Sequence, residues 1–387
     1  MRLFIAGGCS EHGRNCFLVS GDHISFLVDA GRMKEIPEKP LPELDDDQIR
    51  AAGYLFLTHC HTDHTGAIGF LEERGFKGTV IASSATFKNM RPFSSPRIAL
   101  EDICSRGDEG EICPGLEVMW GRAGHCIGSV WYRFRAEGKT IVFTGDYEEE
   151  SISYICDHIR GQYADLAVVD CAYGHEKEDA AEHWSMLEEL LDELTGKGKP
   201  LLFPVPSHGR GFDVIKLLTD RNVPIVMAES LVSEYRDTEN REFWLKESFI
   251  RSADRFDRRD ISAFETDYTA ALRRGDSFPE EYRSMGIVVR DTQLVKDKNR
   301  EIARGVYQKG GRTVLTGKQD PASYARMLLN RREADFRRIS VHQNIDEMMR
   351  LRDRNDFKCI VPYHCREELS FEEPDIAVLR AGDEITF

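Results

Sequence analysis

Short apolar runs closed by glycine, aspartate or asparagine set the rhythm of the first half of the chain, at residues 3–6, 16–19, 24–28, 54–57, 79–82, 130–134, 140–143 and 166–169. Runs this brief, bounded by turn formers, predict strands of one or two sheets, with a helix following His64. From Ala180 the rhythm changes. Residues 182–194 have the amphipathic spacing of a helix, 200–205 read as a buried strand, 211–219 as a helix, 224–227 as a strand, and 313–315 as a strand before a helix near 322–329. Such alternation predicts an α/β layer. Residues 233–281 are charged and helix-prone, expected to pack outside and a candidate lid. Short strands return at 336–341, 358–362 and 376–379. The order predicts a first domain at 1–179, an inserted domain at 180–338 and a return segment at 339–387 that completes the first.

The candidate chemistry sits at the ends of these runs. Thr58-His59-Cys60-His61-Thr62-Asp63-His64 places four metal-capable side chains in six residues directly after an apolar run. Imidazole and carboxylate are borderline ligands that suit zinc, and catalytic zinc sites combine them while keeping one position for water or substrate. Single residues then follow in series: His125 in a glycine turn, Asp146 after Val142-Phe143-Thr144-Gly145, Asp170 after 166–169, His342 after Ile339-Ser340-Val341, and His364 after Ile360-Val361-Pro362-Tyr363. Strand ends converge on one edge of a sheet, where rigid scaffolds place reactive groups.

Composition narrows the partners. The length of 387 residues predicts two structural units. No apolar run approaches a membrane span of about 20 residues, and the glycine-broken start reads as the first strand of a cytoplasmic protein. The ten cysteines show no C-x-x-C pair and are expected to be free thiols. A net charge of −15 argues against a general coat for nucleic acid, so any such binding must be local. The arginine-rich stretch from Arg326 to Arg354 reads equally as solvated helix faces or as a phosphate-tracking groove.

Taken together, the motifs resemble the metallo-β-lactamase-fold hydrolases, and more narrowly the β-CASP branch of nucleases, to which RNase J and the cleavage and polyadenylation endonuclease belong. The opening Gly7-Gly8-Cys9-Ser10-Glu11-His12-Gly13-Arg14-Asn15-Cys16, with Phe26-Leu27-Val28-Asp29-Ala30-Gly31, resembles the family's first hairpin and its first-motif aspartate, Asp29. His59, His61, Asp63 and His64 match the second motif, His125 the third and Asp146 the fourth. Asp170, His342 and His364 resemble the three positions that set the β-CASP branch apart, and Phe203-Pro204-Val205-Pro206-Ser207-His208-Gly209-Arg210-Gly211 resembles the Gly-Arg turn that opens its inserted domain. There are departures. His364-Cys365-Arg366 stands where His-Gly-Glu is common, and Ser284-Met285-Gly286-Ile287-Val288-Val289 stands where a glycine-rich loop is expected. The inserted domain is expected to be short, with no extra RNA-binding module after it.

The resemblance implies an α/β protein, a metallo-β-lactamase αββα sandwich with an inserted α/β β-CASP-like domain closing over the metals. It implies hydrolysis of phosphodiester bonds in nucleic acid, single-stranded RNA being the expected substrate and DNA the alternative, by a hydroxide activated between two metals. One zinc would take His59, His61 and His125, the other Asp63, His64 and His364, with manganese an alternative at the second site and Asp146 bridging. Asp29 would support a ligand from behind. Asp63, His342 and Asp170 are the expected catalytic residues, His342 acting on the phosphate with Asp170 orienting it. Arg210, His208 and Ser207 are candidate phosphate contacts, and Lys318 in Thr316-Gly317-Lys318 a weaker one. No membrane partner is expected, and self-association stays open. Two other readings remain: a small-molecule hydrolase of thioesters, lactones or cyclic phosphodiesters on the same fold, and a non-catalytic scaffold, which the full ligand set opposes.

Overall fold

The computed structural model describes every residue except 35, 239, 240, 256, 257, 275 and 277, with the backbone alone at 254, 255, 258–262 and 266. Six of the seven omitted positions fall in the 233–281 stretch, so the lid expectation lies partly outside the described residues. The chain divides into two compact units. Met1–Glu149, Ile155–Asp179 and Val341–Phe387 make the first; Glu150–Tyr154 and Ala180–Ser340 make the second.

The first unit is built on two mixed sheets. In one, the strands run Glu384–Thr386, Arg2–Gly7, Cys16–Ser20, Ser25–Val28, Tyr54–Phe56, Thr79–Ala82 and Arg97–Ala99; in the other, Ile360–Tyr363, Leu166–Asp170, Lys139–Phe143, Val130–Ala136, Leu116–Arg122 and Gly110–Cys113. The period-two alternation of each strand assigns its side chains to opposite faces. Phe17, Phe26 and Phe56 of the first sheet meet Tyr132, Phe134, Phe143 and Tyr363 of the second, with ring centroids 4.7–5.8 Å apart. Tilted and edge-on ring pairs of this kind add about 0.5–1.5 kcal/mol each beyond area burial. The opposite faces are covered by helices. Leu18, Leu27, Leu55 and Val80 pack with Ile49, Ile68 and Leu71, while Val142, Ala167 and Val169 pack with Met348 and Leu351. The result is helix, sheet, sheet, helix, and the two-sided burial explains why these strands read as unbroken apolar runs.

The second unit carries a six-stranded sheet with all its pairings parallel, in the order Arg258–Asp260, Ile225–Met227, Gly286–Arg290, Leu201–Val205, Arg312–Leu315 and Ala334–Phe336. The strap Glu150–Tyr154 is bound into it: Ser153 N and Ser151 Oγ donate to Asp213 Oδ1, and Tyr154 OH donates to Gly209 O at 2.6 Å.

The departure from the family's glycine-rich loop at Ser284-Met285-Gly286-Ile287-Val288-Val289 is structural, since Gly286–Arg290 is a central strand. Two sequence expectations need correction. Residues 337–341 are not a strand: pairing stops at Phe336, after which Arg337 N and Ile339 N donate to Leu315 O and Thr316 O along an irregular path. Residues 376–379 make only the isolated bridge Ile360–Ile376, and the strand there is Glu384–Thr386. All ten cysteines are free thiols. Among the described residues no helix is long and apolar enough to cross a membrane.

Candidate metal centre

The site is assembled where strand ends of both sheets meet. Lys139–Phe143, Leu166–Asp170 and Ile360–Tyr363 are parallel neighbours, so Asp146, Asp170 and His364 leave the second sheet side by side. Val130 N donates to Thr58 O at 2.9 Å, tying the turn that holds His125 to the end of Tyr54–Phe56, from which His59 emerges. The backbone before Cys16–Ser20 and after Ser25–Val28 braces the His59–His64 loop: Asn15 N donates to Asp63 O, Ala30 N to His64 O and Arg32 N to Thr62 O, at 2.7–3.0 Å. Gly31 has no alternative here, since a Cβ would lie 1.7 Å from Asp63 O. Asp29 (φ 60°) and His364 (φ 70°) both occupy the left-handed region, a conformation that costs energy outside glycine and concentrates at functional sites.

Three donor groups result, each with one atom per residue lying within 4.8 Å of the others: His59, His61, His125 and Asp146; Asp63, His64 and His364; and Asp146, Asp170, His342 and His364. Asp146 is the hub. Its carboxylate lies 3.4 Å from His59 Nε2, 3.2 Å from His64 Nε2, 3.5 Å from His125 Nε2 and 3.3 Å from His364 Nδ1, and it accepts a hydrogen bond from Tyr363 OH at 3.1 Å. The rings are oriented from behind. His64 Nδ1 donates to Asp29 Oδ2 at 2.7 Å, and Asp29 is fixed by the Thr58 amide and hydroxyl. His125 Nδ1 donates to Val341 O at 2.9 Å. In both rings the Nδ1 contact selects the tautomer whose Nε2 lone pair faces the centre, the arrangement metal-bound histidines need.

Two observations favour a cation. His59 Nε2 is buried and has no hydrogen-bond partner, an expensive condition for a polar atom unless something else takes the lone pair. The donor set is all nitrogen and carboxylate, which fits a divalent ion such as zinc. The charges agree. Burial opposes protonation of His64 and His364, but the Asp146 carboxylate, with Asp29 and Asp63 respectively, outweighs it, holding His64 well above the usual imidazole range and His364 at about 10. Burial dominates at His59 and His125, which fall well below that range and to about 4. Without a cation, the carboxylates therefore recruit protons onto two of the rings. Metal must displace those protons, so affinity should rise with pH through neutrality, and loading at pH 7 should release about one proton or more per chain. Calorimetry in buffers of different ionisation enthalpy reads this directly; a heat independent of the buffer would contradict it.

His342 lies on the irregular segment ahead of the helix Ile345–Asp353. Its Nδ1 donates to Asp170 Oδ2 at 3.0 Å, so any contact with a substrate is made through Nε2. Asp170 is buried and also accepts from the Tyr147 and Ala172 amides. Thus His59, His61, Asp63, His64, His125, Asp146, Asp170, His342 and His364 come together, with Asp29 behind them. Ser207, His208 and Arg210 belong to the second unit. There His208 Nδ1 is hydrogen-bonded to Glu234 Oε1 at 3.0 Å, Ser207 is exposed, and Arg210 donates to Thr316 O at 3.3 Å, its guanidinium lying where a Cβ on Gly317 would be.

Sequence reasoning passed over three neighbours. Asn15 Nδ2 sits 2.8 Å from His64 Nε2, within hydrogen-bond distance of a candidate ligand. His12 stacks on His364 with centroids 4.4 Å apart, and burial followed by the adjacent His364 pushes it down to about 3. Tyr363 reaches Asp146. Only Asn15 and His12 carried a signal, polar residues inside a glycine-marked turn at a strand end.

The description of the Metallo-beta-lactamase superfamily matches residues 10–204, half of the chain, and the protein belongs to that superfamily. It is 23% identical over 253 residues to the Endoribonuclease YSH1 of Kluyveromyces lactis, covering 57% of this chain and 33% of that one. It is 24% identical over 248 residues to the RNase J-like protein of Methanocaldococcus jannaschii, covering 58% of each. The matched part thus spans between a third and three-fifths of these curated relatives. Across 99% of both chains the fold is similar to a crystal structure of a protein of unknown function from Enterococcus faecalis V583, with a TM-score of 0.61 and 12% identity.

Proposed function

We propose that this protein is a metal-dependent phosphodiesterase of the β-CASP type that cleaves nucleic acid, RNA in preference to DNA, with two zinc ions, or manganese at the second site, held by His59, His61, His125, Asp63, His64, His364 and a bridging Asp146. One observation carries the reading: Asp146 joins the His59, His61 and His125 group and its carboxylate also lies 3.2 Å from His64 Nε2 and 3.3 Å from His364 Nδ1 of the Asp63, His64 and His364 group, while the Asp170–His342 pair stands against it, with His342 Nδ1 3.8 Å from Asp146 Oδ2. Bound divalent cations would supply Lewis-acid activation of water and would neutralise charge on the phosphate. The side chains do the rest. Asp29 fixes His64, Val341 O fixes His125, and Asp170 fixes His342 so that Nε2 can give a proton to the departing oxygen. The inserted β-CASP-like domain is proposed at 180–338, with Arg210, His208 and Ser207 as phosphate contacts, and the cytoplasm is the proposed location. Relatives named as endoribonuclease and RNase J-like support RNA as the substrate.

The net charge of −15 favours a second reading, a small-molecule hydrolase on the same fold. Incubating the zinc-loaded protein with end-labelled single-stranded RNA, single-stranded DNA and a chromogenic phosphodiester separates the two. Shortened, end-labelled RNA products are expected. Turnover of the chromogenic ester with both polymers intact would overturn the nuclease reading in favour of the second.

A further inference from the structure

Charge is distributed unevenly along this acidic chain. Residues 296–338 carry 12 Lys and Arg against 5 Asp and Glu, a local +7 inside a total of −15. The second unit presents much of this charge on the helices Asp297–Gln308 and Tyr324–Asn330 and on the turn after the latter. Arg304, Arg326, Arg331 and Arg332 are exposed, and among the described residues Arg326, Arg331 and Arg332 have no acidic partner. The arginines alternate with rings. Arg300 and Arg304 lie 5.3 and 5.8 Å from the Tyr324 centroid, and Arg304 Nε also donates to Tyr324 OH at 3.1 Å. Arg312 lies 5.6 Å from Tyr307, and Arg338 5.6 Å from Phe336. A surface pocket of about 470 Å³ opens among Arg300, Arg304, Arg331 and Tyr324. Its acidic members are Asp297, which is ion-paired with Arg300 at 3.3 Å, and Glu301.

We infer that this face of the second unit is a docking site for a single-stranded nucleic acid, separate from the metal-binding residues. Guanidinium forks match phosphate oxygens, and a strand needs both cations spaced along its backbone and flat π faces for its bases. Arginine stacked on tyrosine offers both at once. A purely electrostatic surface for acidic peptide or lipid would not need the rings. A local basic face also removes the difficulty that an overall charge of −15 raises for a protein acting on a polyanion, because the field a strand meets is that of the patch within a Debye length of about 10 Å. The choice of RNA as the strand rests on the proposed function; the docking site itself does not.

The test is binding of a fluorescent single-stranded RNA to the full chain in the presence of chelator, so that cleavage cannot interfere, over a range of salt. Wild-type affinity should fall steeply with salt. The triple variant Arg304→Gln/Arg326→Gln/Arg331→Gln should bind at least tenfold more weakly, with a salt slope flatter by about two to three. The corresponding triple Lys variant, which keeps the charge, should retain most of the affinity. Should the Gln triple variant not fold, the exposed single variants Arg326→Gln and Arg331→Gln serve, each flattening the slope by about one. Gln variants that bind RNA as the wild type does would overturn the inference, as would a triple variant that loses binding to phosphatidylserine vesicles while its RNA binding stands. A wild type that binds RNA through this face but never cleaves it would keep the docking site and sink the nuclease reading. Cleavage by the wild type together with undiminished binding by the variants would do the reverse.

Discussion

Asp146→Ala is expected to strip the centre of both metals and to reduce phosphodiester hydrolysis by about a thousandfold or more, since Lewis-acid catalysis contributes several kcal/mol and each 1.36 kcal/mol is tenfold in rate. The carboxylate is shared widely, lying within 3.8 Å of nitrogens from His59, His64, His125, His342 and His364. Its loss has a second consequence. Asp146 is the leading reason why His64 and His364 are held above the usual imidazole range, so in the variant those rings shed their protons more easily. Proton release on adding zinc should therefore shrink along with zinc affinity. Asp146→Asn, which keeps the shape and drops the charge, should behave similarly if charge is what matters. His364→Ala is the useful contrast, because it leaves the His59, His61, His125 and Asp146 group complete and should empty mainly the other position. Elemental analysis would read about two, one and no zinc ions for wild type, His364→Ala and Asp146→Ala. A variant at Asp146 that retained two ions and full turnover would remove the basis for a shared centre.

What the sequence discloses follows burial. Strands covered on both faces, such as Cys16–Ser20 with Phe17 turned to the other sheet and Leu18 to the helices, stand out as apolar runs. Edge strands do not. Arg97–Ala99 and Glu384–Thr386 are three residues long and largely solvent-facing, so neither forms a buried apolar run and only the pairing partner makes them strands. Leu116–Arg122 was legible and passed over: Leu116, Val118 and Trp120 are buried while Glu117 and Met119 are less so, an alternation of period two. Conversely, residues 337–341 look like a strand yet lack a ladder partner beyond Phe336.

The centre itself was more legible than its supports. A ligand must be His, Asp, Glu or Cys, and such residues closing apolar runs announce themselves at His59, Asp146 and His364. The orienting contacts do not, because Val341 O acts through the backbone and Thr58 is an ordinary residue by type. His12 illustrates the limit in another way: its stacking on His364 depends on a turn conformation with Gly8 and Gly13 at positive φ, which no periodicity encodes. The strap Glu150–Tyr154 is similar, since nothing in its composition ties it to Asp213, 60 residues on.

His342→Ala should separate acid catalysis from metal binding. In geometry alone the ring qualifies as a ligand, since His342 joins Asp146, Asp170 and His364 within 4.8 Å. The nitrogen that faces Asp146, Nδ1 at 3.8 Å, is the one Asp170 holds, and the seven residues His59, His61, Asp63, His64, His125, Asp146 and His364 already supply the two proposed metal positions, so His342 is assigned the role of an oriented imidazole. The variant is therefore expected to keep its zinc while losing about a hundredfold or more in turnover on RNA, the usual cost of removing a positioned acid. A leaving-group comparison sharpens the test. Nitrophenolate departs without a proton whereas a ribose alkoxide needs one, so the deficit should be much smaller on a bis-nitrophenyl phosphodiester than on RNA. Asp170→Asn should reproduce the RNA-selective loss in weaker form, because His342 would remain but its tautomer would no longer be fixed. If His342→Ala instead lost a metal ion, the ring would be a ligand; if the deficit were equal on both substrates, it would hold the phosphate rather than deliver a proton.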